Sequence, residues 1–569
     1  MRFPWDRRSA EFVTGAGCGR AWPWPALLAV LLALPGTNCA LAAEVEAPLA
    51  VDRCDLPDAR LEAEGARIRE ITIDNLNIFD LDDPQEDKAL FRLMNGLHAR
   101  TRPWVIERQL LFEEGDLFDR RQLQETERIL RATNYLYDAR VVLSSCDEDG
   151  VQVLVRTRDV WTLQPGISVS RSGGESRVGL DIQEENFLGR GGSVRYARKI
   201  DEERRTTQIG YSDDNLAGRW IAIDATVADN SDGHEFDLAL ARPFYALDTR
   251  WALGGRVLDA KREDTVYSLG EDIGEFRQDI EHIDVYRGWS SGLSGGWVHR
   301  WFAGLVYDQR LFSKQEALPP GAPLPEDRRH VYPYLAYQFL EDRFRRAENL
   351  DQIYRTEDVS LGAQVDLRLG LLSETLGSTR GGVIFTGGAS RGYGDPARAL
   401  WNFSVRTSGR IEDGDLRNAV VGGAARWYLR QSERRLLFAS LSAEITSALD
   451  LDNPLEIGGD SGIRGYPLRY QRGDGRARFT IEQRYFTDYY LWRLFRVGGA
   501  VFFDAGRVWG ENPYGGENLG LLRDVGFGLR LASTRSSIGK MIHLDFAFPL
   551  DGDPSIDSFQ VLLEGKRSF

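Results

Sequence analysis

From Trp161 to the terminal Phe569, apolar and polar residues alternate with a period of two. Leu437, Ala439, Leu441, Ala443 and Ile445 are interleaved with Ser440, Ser442, Glu444 and Thr446. Val525, Phe527, Leu529 and Leu531 alternate with Gly526, Gly528, Arg530 and Ala532, and Val365, Leu367 and Leu369 with Gln364, Asp366 and Arg368. Successive side chains of a strand point to opposite faces, so each run predicts a strand with one apolar face and one polar, glycine or charged face. In a soluble sandwich the apolar face packs on a second sheet. In a transmembrane antiparallel β-barrel it meets lipid while the polar face lines a wet lumen. Charges placed repeatedly in mid-strand favour the barrel. Five runs follow Ile463, starting near Arg476, Phe495, Leu522, Lys540 and Asp557, and up to fifteen precede it. The expectation is a barrel of about 16 strands, at most about 20, over residues 159–569, closed because no edge can be left open in lipid.

Residues 66–158 carry a different pattern. Ile71 and Ile73 alternate in a strand, and Leu90, Leu93, Met94 and Leu97 mark one face of a helix. Asp119 with Gln122 forms a capping-box signal for a second helix bearing Leu123, Ile129 and Leu130. Ala139, Val141 and Leu143, then Val151, Val153 and Val155, predict a hairpin turning at Asp147–Gly150. The order is β-α-α-β-β, a small α+β domain joined to the preceding chain by a polar linker over residues 43–65.

The remaining composition narrows the function. Of 569 residues, 71 are basic and 86 acidic, a net charge of −15, which argues against nucleic acid as a partner. Gly is abundant at 59 against 3 Met, as suits tight turns between strands. Beyond the N-terminus no apolar run is long enough for a membrane helix, and mean hydropathy is −0.36. Residues 1–42 read as an export signal. Arg2, Arg7, Arg8 and Arg20 precede the apolar core Ala26 to Leu34, and Ala40-Leu41-Ala42 places cleavage between Ala42 and Ala43. Cys18 and Cys39 leave with it. Cys54 and Cys146 then form a candidate disulfide in an oxidising compartment, the alternative being two separate thiols. No metal-ligand spacing occurs, the six His are scattered, and there is no Ser/His array, so neither a cofactor nor an enzymatic activity is expected.

The chemistry concentrates in one loop, residues 451–475, where Ile463-Arg464-Gly465-Tyr466 sits among glycines. Glu482 shares a strand face with Thr480 and Arg484, opposite Phe479, Ile481 and Tyr485. Asp504 lies in phase with Gly506, opposite Val501 and Phe503. Both carboxylates therefore point into the expected lumen. An arginine offers five donors in a rigid fork and keeps its charge, so Arg464 can engage both acids and hold the loop inward. An exposed loop arginine with ordinary lumen carboxylates is the plainer alternative.

Four pieces in this order resemble the BamA/TamA outer-membrane assembly-factor superfamily, the bacterial surface antigen family that includes the two-partner-secretion transporters. Ile463-Arg464-Gly465-Tyr466 resembles its inward-loop motif, and Phe502-Phe503-Asp504-Ala505-Gly506 the strand carrying the arginine's acidic partner. Glu482 matches the second acid, and Glu185-Asn186-Phe187-Leu188-Gly189-Arg190-Gly191 resembles the turn after the second barrel strand. The β-α-α-β-β order and the turn Phe112-Glu113-Glu114-Gly115-Asp116 resemble a polypeptide-transport-associated (POTRA) domain. The resemblance implies a bacterial outer-membrane barrel with its N-terminal domain in the periplasm. Its partners would be outer-membrane lipid, unfolded or secreted polypeptide clients and periplasmic accessory proteins. Clients would meet the POTRA-like sheet near Val141 and Val153, and the barrel would open laterally between its last strand and a short, glycine-flanked first strand near Gly166 to Arg171. The terminal run Phe559, Val561, Leu563, Gly565, Arg567, Phe569 resembles an assembly signal ending on an aromatic, departing from it at Arg567. A dedicated exporter of one partner, or a passive structural or diffusion barrel, are the other readings.

Overall fold

The computed structural model describes residues 49–147, 150–172, 175–200, 204–314, 321–515, 518–536, 541–554 and 556–566. The export segment with Ala42 and Ala43, and the terminal Arg567 and Phe569, lie outside them.

The N-terminal domain is built on a three-stranded sheet of order β1-β3-β2, with β1 Ile68–Leu76 parallel to β3 Gly150–Asp159 and β2 Leu136–Asp147 antiparallel to it. Four helices accompany it: α1 Asp58–Ala63, α2 Ala89–Leu97, α3 Pro103–Glu107 and α4 Arg120–Arg131. The side chain of Asp119 caps α4 by accepting from the Arg121 N–H at 2.9 Å. Leu123 and Leu130 of α4 pack on Ala139, Val141, Leu143, Val151, Val153 and Val155, all buried.

Two features depart from the sequence reading. The expected apolar face of α2 is not core: Leu90, Leu93 and Leu97 are more than half exposed, and Phe91 is the buried residue, stacked on Phe79 at 4.0 Å. The helix touches its domain along one narrow edge, so a heptad-like stripe does not mark the buried side. Residues 49–65 are also no free linker. Cys54 is disulfide-bonded to Cys146, the Arg53 N–H donates to Leu143 O at 2.9 Å, and Leu61 is fully buried.

Twenty strands, from Leu163–Ser172 to Gln560–Lys566, close into one antiparallel barrel, at the upper end of the expected count. The five strands after the loop begin at Gly475, Phe495, Leu522, Met541 and Gln560. Outward residues are apolar and exposed, among them Leu367, Leu369, Leu441, Ile445 and Phe527, whereas Arg368, Glu444 and Arg530 in the opposite phase are buried in the lumen. Trp251, Trp289, Trp301 and Tyr337 face one another in successive strands, and Tyr393, Trp401 and Trp427 do the same further round. Such aromatic girdles with an apolar band mark a barrel immersed in lipid.

The N-terminal domain lies across the barrel end through which the chain enters, called proximal here. Arg102 N–H bonds Gly189 O at 3.1 Å, Asn215 Nδ2 bonds Arg108 O at 2.9 Å, and Arg121 pairs with Asp248 at 2.6 Å. Further round, Arg131 meets Asp358 at 2.7 Å, Arg493 meets Asp83 at 3.1 Å, and Arg535 donates to Ile78 O at 2.9 Å. These turns are spread around the rim, so the domain is fastened to it on several sides.

Candidate functional site

The connection between strands Arg435–Ser447 and Gly475–Leu491 leaves the distal end and folds back into the barrel. Two short strands, Leu455–Ile457 and Gln471–Gly473, pair antiparallel and close its neck. Beyond them Ile463 and Tyr466 are fully buried against Ile457, Tyr470, Val508 and Leu522. Two glycines permit the approach. A Cβ on Gly506 would stand 2.7 Å from Ile463 Cδ1, and one on Gly465 would stand 2.7 Å from the Asp524 Cβ. The Gly465 N–H donates to Asp524 Oδ2 at 2.9 Å. The Tyr466 hydroxyl donates to Arg523 O at 2.8 Å and accepts from Arg523 N–H at 3.0 Å. Burial pushes that hydroxyl up to about 12.

Arg464 is the centre. Its Nε and Nη2 bond Asp504 Oδ2 and Oδ1 at 2.7 and 2.9 Å, and Nη1 bonds Glu482 Oε1 at 2.8 Å. Asp545 lies 3.8 Å from the same Nη1, and the guanidinium carbon sits 3.4 Å from the centre of the Phe502 ring. Strand register explains the arrangement. Glu482 is directly opposite Phe502, so the ring and the first acid share the lumen face, and Asp504 is the next lumen position along from Phe502. A fork-shaped cation resting on the ring then reaches both acids at once. Glu482 is shared: its Oε2 accepts from Arg484 Nε at 3.0 Å.

The structure therefore brings together Ile463, Arg464, Gly465, Tyr466, Glu482 and Asp504, while Cys54 and Cys146 form their bond far away in the N-terminal domain. Sequence reasoning did not assign Phe502, Asp524 or Asp545 to this site. Their strand phase was the available signal, since Asp524 stands in step with Gly526, Gly528 and Arg530. The arrangement clamps a loop by charge; among the described residues no group of three or more His, Cys, Asp or Glu is placed to hold a metal ion.

The turn Glu185–Gly191 has its own task. Asn186 Nδ2 bonds Thr101 Oγ1 at 2.7 Å, its Oδ1 accepts from Gly191 N–H at 2.7 Å, and Arg108 Nη2 bonds Arg190 O at 2.9 Å. It is the socket that seats the N-terminal domain on the barrel.

No protein-family model and no curated protein sequence matches the chain. Among solved structures, it is similar to BamA from Haemophilus ducreyi lacking POTRA domains 1-3, at 12% identity over 88% of this chain and 85% of that one, with a TM-score of 0.40. It is also similar to CdiB from Acinetobacter baumannii, at 11% identity over 88% and 74%, and to CdiB from Escherichia coli, at 13% over 88% and 76%, each with a TM-score of 0.45. Likenesses at this level carry no argument about what the chain does.

Proposed function

We propose that the protein is a non-enzymatic outer-membrane barrel that inserts or passes polypeptide clients, its N-terminal domain capturing them in the periplasm. The observation that carries this reading is the seam. The first strand, Leu163–Ser172, pairs with the second at ten positions, and the last two strands pair at seven. Among the described residues, first and last strands meet in register at one position, Leu563 opposite Arg171. Each missing ladder bond leaves backbone groups ready to pair with another strand, so this edge suits β-augmentation by a client.

Capture in the periplasm has a corresponding edge. Val141 and Val153 point into the domain core and are not contact positions for a client. The outer edge of β2 is occupied: Leu143 bonds Asp52 and Arg53, and Val141 N–H donates to Glu127 Oε2 at 3.2 Å. β1 is the other edge of the sheet; its start is bonded to the turn at 113–116, with the Ile71 N–H donating to Glu114 Oε1 at 3.0 Å, and Thr72 beyond it is exposed. A passive diffusion barrel fits less well, because the inward loop fills part of the lumen.

Cysteines at positions 171 and 563 test the reading. With a photo-crosslinker at Thr72 to report client capture and another at Val561 to report the seam, oxidative locking should abolish adducts at Val561 and spare those at Thr72. Undiminished Val561 adducts in the locked barrel refute lateral passage. One client adduct rather than many would mark a dedicated exporter.

A further inference from the structure

The proximal connection at residues 342–363, between strands Arg328–Glu341 and Gln364–Leu372, is far longer than the other proximal turns, none of which exceeds eight residues. It forms a hairpin, Phe344–Ala347 with Glu357–Ser360, whose tip enters the lumen. Leu350, Ile353 and Leu361 are buried against Leu436, Phe438 and Met541 of the barrel wall.

The polar contacts are as specific as the apolar ones. Asp351 accepts from Tyr428 Oη at 3.0 Å and from Arg484 Nη1 at 3.1 Å. Arg484 Nη1 also donates to Leu350 O at 2.7 Å, and Arg430 Nη2 donates to Glu348 O at 2.6 Å. The Asp351 carboxylate is thus read by Arg484 and the Tyr428 phenol, and the carbonyls of Leu350 and Glu348 by Arg484 and Arg430, with aliphatic Leu350 before the acid and Ile353 two residues after it. Arg484 is fully buried and braced by Glu482, so it is held in place for the contact. Beside the hairpin a cavity of about 540 Å³ remains, bordered by Asp351, Glu357, Tyr428 and Arg406.

Two further sets of contacts make the hairpin a connector. On its outer side Asp358 receives a forked pair of bonds from Arg131 of α4 at 2.8 and 2.7 Å, and Tyr354 O accepts from Tyr137 Oη at 3.2 Å. On its inner side the chain of charges runs Asp351, Arg484, Glu482, Arg464. The N-terminal domain and the inward loop are joined through it.

We propose that the lumen wall around Arg484 is a binding site for a polypeptide segment carrying a carboxylate between aliphatic side chains, filled at rest by this chain's own residues 348–361, which close the proximal mouth. The incoming segment is identified as client on the strength of the function proposed above; the site and its resting occupant stand without it. Release of Arg131 from Asp358 frees the hairpin on one side, and an incoming segment of like chemistry replaces it on the other.

Planar-bilayer conductance of the full-length protein tests this. Replacing residues 344–360 with a short Gly–Ser turn should raise single-channel conductance several-fold. Asp351→Ala in the intact chain should raise open probability. A synthetic peptide of residues 347–357, added from the proximal side, should reclose the shortened variant. The same peptide with Asp351→Asn should need on the order of ten times more, the equivalent of about 1.4 kcal/mol. Wild-type conductance in the shortened variant, with the barrel still heat-modifiable, overturns the proposal, as does an opening that the peptide does not reverse. If the shortened variant does not fold, Asp351→Ala decides: unchanged open probability overturns it. Peptide closure without client adducts at Thr72 upholds the site and sinks the assembly reading instead.

Discussion

Arg464→Ala isolates the clamp on the inward loop. The substitution removes three charge-assisted bonds and leaves Glu482 and Asp504, both buried, facing each other without their shared cation. Taking one partner from a buried pair costs about 3–5 kcal/mol. Against this, Ile457, Ile463 and Tyr466 remain as apolar anchors, each contributing about 1.5–3 kcal/mol. The loop should therefore stay docked on average, while its excursions become roughly two to nearly four orders of magnitude more frequent, at tenfold per 1.4 kcal/mol. The Gly465 N–H, bonded to Asp524, reports them directly. Native-state hydrogen exchange of the peptide spanning Ile463 to Tyr466 should accelerate by that factor while the barrel strands keep their protection. Arg464→Lys keeps the charge but loses the fork and should fall between. Exchange within about threefold of wild type in Arg464→Ala would refute the reasoning and leave the loop held by apolar packing.

Other outcomes follow from the same geometry. Gly189 has φ +71°, and a Cβ there would stand 2.4 Å from Arg100 O; Gly189→Ala should loosen the domain from the rim by about 1–3 kcal/mol, read as faster proteolysis between residues 98 and 110. Cys54→Ser opens a ring closed over a separation of 92 residues, which should cost the N-terminal domain about 4–5 kcal/mol; a melting curve equal to that of the oxidised wild type would contradict it. Burial, and then the charge of Asp351, push the Glu357 carboxyl from its ordinary 4.5 up to about 7. A folded-state value above the free one means that this contribution to hairpin docking is fully present below about 4.5 and lost as pH rises through about 7. Among the charged groups acting on it, Asp351 pushes it up and Arg430 opposes that. Wild-type conductance should rise between pH 5 and pH 8, and Glu357→Gln should flatten that profile.

Much of the barrel was legible along the chain. A strand's two faces are set by the backbone geometry of neighbouring residues, so alternation alone placed Glu482, Arg484 and Asp504 in the lumen and Tyr485 and Val501 outside, where the latter two are exposed. The starts of the five final strands could be marked within a few residues for the same reason. Helix α2 shows where local pattern runs out. Its leucines repeat at helical spacing, yet which side is covered depends on what lies beside it, and Phe79 and its neighbours Ile78, Trp161 and Leu494 made Phe91 the buried residue.

The remaining features join distant parts of the chain. Arg131 meets Asp358 across 227 positions, and Arg535 reaches Ile78 across 457. No period of two or 3.6 carries such pairs. They exist because twenty strands closed into a ring, which brought the proximal turns beneath one small domain and set the hairpin at 342–363 inside the lumen. Side-chain phase is a local property of the backbone and can be read residue by residue; which phases come to face one another is settled by closure of the ring.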